Sequence, residues 1–296
     1  MRPASLALLF TIRFAPPAFA QSDHPPIYFE LPGMDRARVT RDLLYKTLGP
    51  GSTRGPSLSL DVYLPERSSG RPTPIMVFVH GGLGRDTPPH AKEWPSYQSW
   101  GKLAAASGMV AVVLDHRLTT DDNVDEAGAD LLDAIAFVRK RAAEFHADPD
   151  RICVGFYSAG GVVSGVLLRE APGYLKCVVL YYPYLDLEHL KNKTIFREAH
   201  SAAHVDSLAN YSPRGAIGRP AGSLPPILLA RAGRDEIPHL NESVDRFVAT
   251  ALERNVGLDF YTHPTGVHGF DLLTRDARTR EIIGQTLSFL ARHLQP

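Results

Sequence analysis

Residues 152–161 read ICVGFYSAGG, an apolar run that leads into Ser158 and then into small residues at the start of a helical pattern. Unbroken apolar runs are typical of strands buried on both faces of a parallel sheet. A serine at a sharp turn from strand to helix projects its hydroxyl from the sheet, and small neighbours are needed because the backbone there is strained and closely packed. An ordinary N-cap serine is the alternative. The segment predicts a parallel α/β sheet with Ser158 as candidate nucleophile.

Strand-like and helix-like patterns alternate on both sides of this segment. Further apolar runs lie at residues 75–79, 109–114, 177–181 and 227–230, and alternating patterns typical of antiparallel opening strands lie at 43–46 and 58–64. Apolar residues recur at helical spacing in residues 97–107, 129–143, 161–169, 242–253 and 279–293. This order predicts an α/β fold with a mostly parallel central sheet of about eight strands, whose ligands bind at the carboxyl ends of the strands.

One stretch interrupts the alternation. Residues 186–226 are about forty residues of mixed helix and loop between two predicted core strands, more than an ordinary loop needs. An inert excursion is one interpretation. We predict instead a cap inserted over the strand ends, within a single domain that covers residues 21–296.

The charge balance and the hydropathy exclude several classes of protein. Because 32 basic residues face 32 acidic ones, no net field favours nucleic acid or an anionic membrane as a partner. No apolar run reaches the roughly 20 residues that span a bilayer, so we expect no stable membrane insertion.

The first twenty residues have the pattern of a signal peptide. Arg2 precedes an apolar stretch that ends in AFA at residues 18–20, and signal peptidase accepts only small side chains on either side of the middle position. Cleavage after Ala20 would leave Gln21 as the new N-terminus. We therefore expect a periplasmic or secreted protein; a disordered leader is the alternative, because Arg13 interrupts the apolar stretch.

The two cysteines, Cys153 and Cys177, fall inside predicted buried strands. A cysteine in such a strand is usually a small hydrophobic residue, and we expect that role for both. A disulfide in an oxidising compartment stays open as an alternative if the two strands are neighbours.

A glycine-rich turn follows the predicted strand at residues 75–79. Residues 79–84 read VHGGLG, and such a turn leaves backbone N–H groups able to point at an oxyanion. We predict Gly82 and Leu83, together with Ala159, as the donors, with His80 bracing the loop. A phosphate-binding loop is disfavoured because no Gly-Lys-Ser/Thr ending follows.

A carboxylate and an imidazole follow the serine in the chain. Residues 230–236 read ARAGRDE and place Asp235 just beyond a strand, and residues 263–270 read HPTGVHGF and place His268 in a loop before the last helix. A serine nucleophile needs a base, and the base needs a carboxylate to hold its tautomer. We favour Asp235 over Glu236 because the shorter side chain has fewer rotatable bonds. Each residue taken alone could equally be structural, and so could His263.

These segments resemble the α/β-hydrolase superfamily, in particular its esterases and lipases of the His-Gly-Gly type, over residues 58–294. The resemblance implies a serine hydrolase that cleaves carboxylic esters through an acyl-enzyme, without cofactor or metal. It implies a Ser158, Asp235, His268 triad and an oxyanion hole formed by Gly82, Leu83 and Ala159. The chain departs from the family pattern at Phe156, where the elbow usually has glycine, and at Leu83, where a third glycine is usual.

Other functions stay open. Within the superfamily, a serine peptidase of the prolyl-oligopeptidase type has a similar order of residues, and a binding protein that has lost turnover is the alternative from another class. The substrate is either a small ester or an ester carried on a polysaccharide. Three tyrosines near a strand end, Tyr181, Tyr182 and Tyr184, suggest a partly aromatic pocket, although core packing explains them equally well.

One histidine pair suggests a metal site. His200 and His204 are four residues apart and would share a helix face, as zinc ligands often do. No glutamate stands beside His200 as a metalloprotease motif requires, so we expect no metal there.

Overall fold

The computed structural model describes residues 24–52, 55–66, 70–82, 90–118, 123–190, 211–218 and 224–294. The predicted leader at 1–20, the predicted oxyanion donor Leu83 and the pair His200 and His204 lie outside these residues.

Eight strands form one sheet in the order β1-β2-β4-β3-β5-β6-β7-β8. Their bounds are β1 (Arg38–Thr47), β2 (Ser57–Leu64), β3 (Thr73–Val79), β4 (Val110–Leu114), β5 (Ala147–Tyr157), β6 (Leu175–Tyr181), β7 (Ile227–Ala232) and β8 (Leu258–His263). The strand β2 pairs antiparallel with β1 and β4, and all other neighbours are parallel. The prediction of two antiparallel opening strands and a mostly parallel sheet is confirmed.

Helices cover both faces of the sheet. They are α1 (Pro95–Ala106), α2 (Val124–Lys140), α3 (Ser164–Glu170), α4 (Leu187–Leu190), α5 (Pro213–Gly218), α6 (Leu240–Glu253), α7 (Phe270–Leu273) and α8 (Ala277–Leu294). Short 3-10 segments lie at Met34–Arg36, Ala91–Glu93, Ala142–Phe145 and Ser158–Val163. Among the described helices, none is long and apolar enough to cross a membrane.

The sheet separates two cores, because successive side chains of a strand point to opposite faces. Along β3, Ile75 and Val77 enter one core, and Met76 and Phe78 enter the other. The first, which we call the aliphatic layer, also contains apolar side chains of α2, α3 and α6, namely Leu131, Leu167 and Phe247. The second, which we call the aromatic layer, contains Trp94, Tyr97, Trp100, Tyr157, Tyr181, Tyr182 and Phe270.

The cysteines differ from the expectation that they are separate hydrophobic residues. Cys153 on β5 and Cys177 on β6 are direct partners in the strand register, with Cα atoms 4.7 Å apart, and they form a disulfide. This separation suits a disulfide. The expectation was wrong because it depends on which strands are neighbours, and the apolar runs do not specify that order.

The described part of the predicted cap, which consists of α4 and α5, packs onto the main body. Leu187 and Ile217 belong to the aliphatic layer, and the Arg214 N–H donates to the Leu185 carbonyl at 2.8 Å. The backbone of Tyr211 lies so near Gly165 on α3 that a Cβ at Gly165 would be 2.1 Å from the Tyr211 carbonyl oxygen. These segments are therefore anchored on α3 and on the core.

Candidate active site

Ser158 stands at the turn where β5 ends. Its φ of 52° lies in the left-handed region, which costs free energy for any residue but glycine. The loop after β3 approaches the same turn, and a Cβ at Gly81 would be 2.8 Å from the Ser158 Cβ atom. Glycine at residue 81 therefore allows this loop to lie against the serine.

Phe156, the departure from the usual elbow pattern, fits without opening the turn. Its side chain is fully buried in the aliphatic layer. The register of β5 with β6 continues past it, with Tyr157 opposite Tyr181. A large side chain is tolerated here because it points into the core and away from the serine turn.

Two hydrogen bonds join the serine, the histidine and the aspartate. The Ser158 Oγ atom lies 2.7 Å from Nε2 of His268, and Nδ1 of His268 lies 2.7 Å from Oδ2 of Asp235. The carboxylate can only accept when ionised, so Nδ1 carries the proton and Nε2 is left to accept from the serine hydroxyl. The Asp235 side chain is buried, whereas Glu236 is exposed.

Backbone contacts hold the two loops that carry the acid and the base. The Gly233 N–H donates to the His263 carbonyl at 2.9 Å, and the Arg234 N–H donates to the Gly266 carbonyl at 2.8 Å. In addition, the Ile237 N–H donates to Oδ1 of Asp235 at 3.0 Å, which leaves Oδ2 for the imidazole. The sheet thereby places Asp235 and His268 side by side, although 33 residues separate them.

His263, the other histidine of residues 263–270, has the structural role that the sequence analysis left open. Its buried ring bonds through Nε2 to Oδ1 of Asp276 and to Oγ1 of Thr279, both at 3.1 Å. Both partners lie at the start of α8 or just before it. His263 therefore ties β8 to α8 and does not contact Ser158.

The loop after β3 is held by an aromatic side chain. The Gly81 N–H donates to the hydroxyl of Tyr97 on α1 at 2.7 Å, and burial raises the pKa of Tyr97, so the phenol is neutral. His80, the predicted brace, bonds through Nδ1 to the Gly81 carbonyl at 2.7 Å and stacks on His116 with ring centroids 3.7 Å apart.

The predicted oxyanion donors are only partly described. Gly82 has a φ of 105°, a conformation that favours glycine, and Ala159 is buried directly after the serine. The structure thus places Gly82 and Ala159 in the two turns that meet at Ser158. The third predicted donor, Leu83, lies outside the described residues.

Tyr182 and the buried Asp271 support the ring of His268, a role that the sequence did not predict. The Tyr182 ring packs edge-on against the His268 ring with centroids 4.7 Å apart, and its hydroxyl donates to Oδ1 of Asp271 at 2.6 Å. Trp100 donates from Nε1 to Oδ2 of the same carboxyl at 2.9 Å. Burial raises the pKa of Asp271. The sequence indicated this acid only through its place three residues after His268.

Tyr181 and Tyr184, the other two tyrosines predicted near a strand end, are core residues. Tyr181 is buried in the aromatic layer and Tyr184 in the aliphatic layer, so the packing interpretation applies to them, and not the pocket interpretation. The Tyr181 hydroxyl bonds to Oγ1 of Thr286 on α8 at 2.7 Å, as buried phenols generally require a partner.

The arrangement is suited to proton transfer at a hydroxyl. His268 can take the Ser158 proton through Nε2, and the carboxylate at Nδ1 would stabilise the resulting imidazolium. Within the described residues, the histidines and acids that converge as metal ligands are His189, His239 and Glu242, and none of them belongs to this hydrogen-bonded chain.

Comparisons with known proteins find similarity to esterases. The family model described as BD-FAE matches residues 60–169, the region from β2 to α3. Isoprenylcysteine alpha-carbonyl methylesterase ICME of Arabidopsis thaliana is 26% identical over 209 residues, which cover 61% of this chain and 46% of the relative. Esterase LipQ of Mycobacterium tuberculosis is 24% identical over 284 residues, which cover 88% of this chain and 64% of that protein. The chain thus spans less than two thirds of either relative.

Solved structures share the fold. The structure of a thermophilic esterase from the Planctomycetes species Thermogutta terrifontis superimposes with a TM-score of 0.63 at 21% identity, covering 90% of this chain and 96% of that one. At this identity the likeness concerns the fold alone. The chain therefore has the fold of this esterase structure, and in sequence it is similar to esterases.

Proposed function

We propose that this protein hydrolyses carboxylic esters through a covalent acyl-enzyme, with Ser158 as nucleophile, His268 as general base and acid, and Asp235 as the residue that orients His268. The observation that carries the proposal is the pair of 2.7 Å hydrogen bonds that runs from the serine through the imidazole to the aspartate. Esterase relatives support the same reaction class.

In the acylation step, Oγ of Ser158 attacks the acyl carbon while Nε2 of His268 takes the hydroxyl proton. The C–O bond to the alcohol then breaks, and the alcohol leaves with the proton from Nε2. In the deacylation step, Nε2 of His268 takes a proton from water while the water oxygen attacks the acyl carbon. The bond between the acyl carbon and Oγ of Ser158 then breaks, Nε2 returns the proton to Oγ, and the carboxylic acid leaves. No cofactor or metal takes part in these steps.

The negative charge that develops on the acyl oxygen needs fixed donors, and we propose the backbone N–H groups of Gly82, Leu83 and Ala159 for that role. Two observations support this role for the loop after β3. Gly81 lies against Ser158, and the Gly81 N–H donates to the Tyr97 hydroxyl. Because the Gly81 N–H already donates to Tyr97, Gly81 helps to hold the loop in place. The oxyanion donors therefore come from the residues after Gly81.

The decisive experiment is labelling with a fluorophosphonate probe combined with ester hydrolysis by the wild type and by Ser158→Ala. We expect the wild type to be labelled once, and the variant to fold, stay unlabelled and lose at least about a thousandfold in turnover, since nucleophile and base act as a unit. An unlabelled wild type with no ester turnover would instead favour the binding protein. Unchanged activity of Ser158→Ala would refute the nucleophile.

For the substrate we propose two classes, a small-molecule ester or an ester carried on a polysaccharide. A series of p-nitrophenyl esters of increasing chain length, set beside an acetylated polysaccharide, distinguishes the two. Hydrolysis of peptide amides would test the serine peptidase alternative, which no observation on the described residues favours.

We propose, on the pattern of residues 1–20 alone, that the protein is exported and begins at Gln21 when mature. Mass spectrometry of the protein from its native host tests this, and retention of Met1 would contradict it. We also propose that residues 186–226 form a cap that governs chain-length preference. Partial deletion of the cap should change that preference more than the turnover of the smallest ester.

A further inference from the structure

Three potential metal ligands converge outside the proposed triad. Nε2 of His189 lies 2.8 Å from Oε2 of Glu242, and Nδ1 of His239 lies 3.2 Å from each oxygen of the same carboxylate. All three ligand atoms lie within 4.8 Å of one another. They come from two elements: His189 from α4, and His239 and Glu242 from the start of α6.

The two elements are fixed to each other by contacts that do not involve the three ligand side chains. The Leu185 N–H donates to the buried Oγ of Ser243 on α6 at 3.2 Å, and the buried carboxylate of Asp186 accepts from Nε of Arg246 at 2.7 Å. Asp186 also accepts the His189 N–H at 3.1 Å. The backbone that carries His189 is therefore held against α6, and the convergence of the ligands does not depend on their own hydrogen bonds.

Charge and ligand type define which ion fits. Two neutral imidazoles and one carboxylate carry a single negative charge, and within the described residues Glu242 forms ion pairs only with these two histidines. No lysine or arginine side chain therefore competes for that carboxylate in the described structure. Imidazole nitrogen suits zinc and the neighbouring transition metals, whereas Ca²⁺ and Mg²⁺ require oxygen ligands.

We propose that His189, His239 and Glu242 form a binding site for a divalent transition-metal ion such as Zn²⁺, with solvent completing a four-coordinate shell. The ion would link α4, the first helix of the predicted cap, to the loop that follows Asp235, because His239 comes four residues after that acid. It would stabilise the chain by bridging two elements and would not take part in the reaction of Ser158. Its three ligands do not include His200 or His204, which lie outside the described residues.

The test is calorimetric titration of the full chain, first freed of metal with a chelator, with zinc chloride. We expect one equivalent to bind, and we expect Glu242→Gln and His189→Gln each to weaken binding at least about tenfold. Zinc should raise the thermal midpoint of the wild type and not that of Glu242→Gln. The visible absorption of Co²⁺ provides an independent measure of imidazole coordination.

Matched variants separate this site from others. Glu144→Gln removes an exposed carboxylate that pairs with Arg141 elsewhere on the surface, and it should bind zinc like the wild type. His239→Asn suits the left-handed φ of 63° at that position, so it tests the third ligand without added backbone strain. No zinc binding by the wild type, or wild-type affinity in Glu242→Gln, would overturn the proposal. The proposal would also be overturned if zinc binding were lost only in His268→Gln, or only in the double variant His200→Gln with His204→Gln. Either result would place the ion at a different site.

Discussion

The aliphatic layer and the edge of the sheet where Ser158 lies are ordered by different forces. In the aliphatic layer, side chains such as Leu131 and Val154 are buried without polar groups, so shape and volume determine their positions. The second region, which we call the hydrogen-bonded edge, consists of turns and loops that carry Gly81, Ser158, Asp235 and His268. Their positions depend on bonds of 2.7 Å and on the aromatic side chains beneath them. Substitutions should therefore reduce stability in the first region and turnover in the second.

The largest effect is expected at the hydrogen-bonded edge with Asp235→Asn. The amide cannot hold the proton on Nδ1 of His268 as a carboxylate does, so turnover should fall by about ten-thousandfold while the thermal midpoint changes little. Glu236→Gln is the matched control, because its side chain is exposed, and it should change turnover only a few-fold. Steady-state kinetics at matched folding would refute our assignment if Glu236→Gln were the crippled variant.

The substitution Leu131→Ala tests the aliphatic layer. Leu131 is fully buried on α2, and its truncation should lower the free energy of unfolding by about 2–5 kcal/mol through lost burial and a cavity. Turnover per folded molecule should stay near that of the wild type. Leu252→Ala, at a side chain that is 67% exposed, should change stability by less than about 0.5 kcal/mol in urea unfolding. A large loss of turnover in folded Leu131→Ala would show that the aliphatic layer also controls catalysis, contrary to our expectation.

A smaller effect is expected with Tyr97→Phe, which removes the acceptor for the Gly81 N–H and keeps the ring. An unpaired buried N–H costs about 1–3 kcal/mol, so kcat/KM should fall about tenfold or somewhat more if the loop shifts to find another partner. The measurement is kcat and KM on one short ester. A fall in kcat with little change in KM would indicate a displaced oxyanion loop.

The smallest effect is expected with Tyr157→Phe, the matched control for Tyr97→Phe. Both rings lie in the aromatic layer, but the buried hydroxyl of Tyr157 has no hydrogen-bond partner among the described residues. Its removal should leave kinetics unchanged and should raise stability slightly, because no bond is lost and an unsatisfied group disappears. Equal kinetic losses in the two variants would show that the bond to Gly81 is not what holds the loop.

Much of the fold follows from local patterns. The five apolar runs became the strands β3 to β7, because a strand buried on both faces must be apolar throughout. The strand β8 was not assigned from the sequence, since it lies at the sheet edge and its polar and apolar residues are half-exposed. Its pairing with β7 sets the distance between the loops of Asp235 and His268, so the omission concerned an element that builds the site.

Local sequence patterns were sufficient to predict the class of fold, the position of Ser158 after a buried strand, and the order of serine, acid and histidine along the chain. The arrangement of the strands in space places Asp235, and not Glu236, beside His268. It also buries His263 in the core and pairs Cys153 with Cys177. It also introduced Tyr97, which local sequence does not single out, and gave Tyr182 a contact with His268 that the sequence did not predict. The physical reason is that hydropathy and turn chemistry act between near neighbours in the chain, whereas these choices depend on strand order and register, which bring distant residues together.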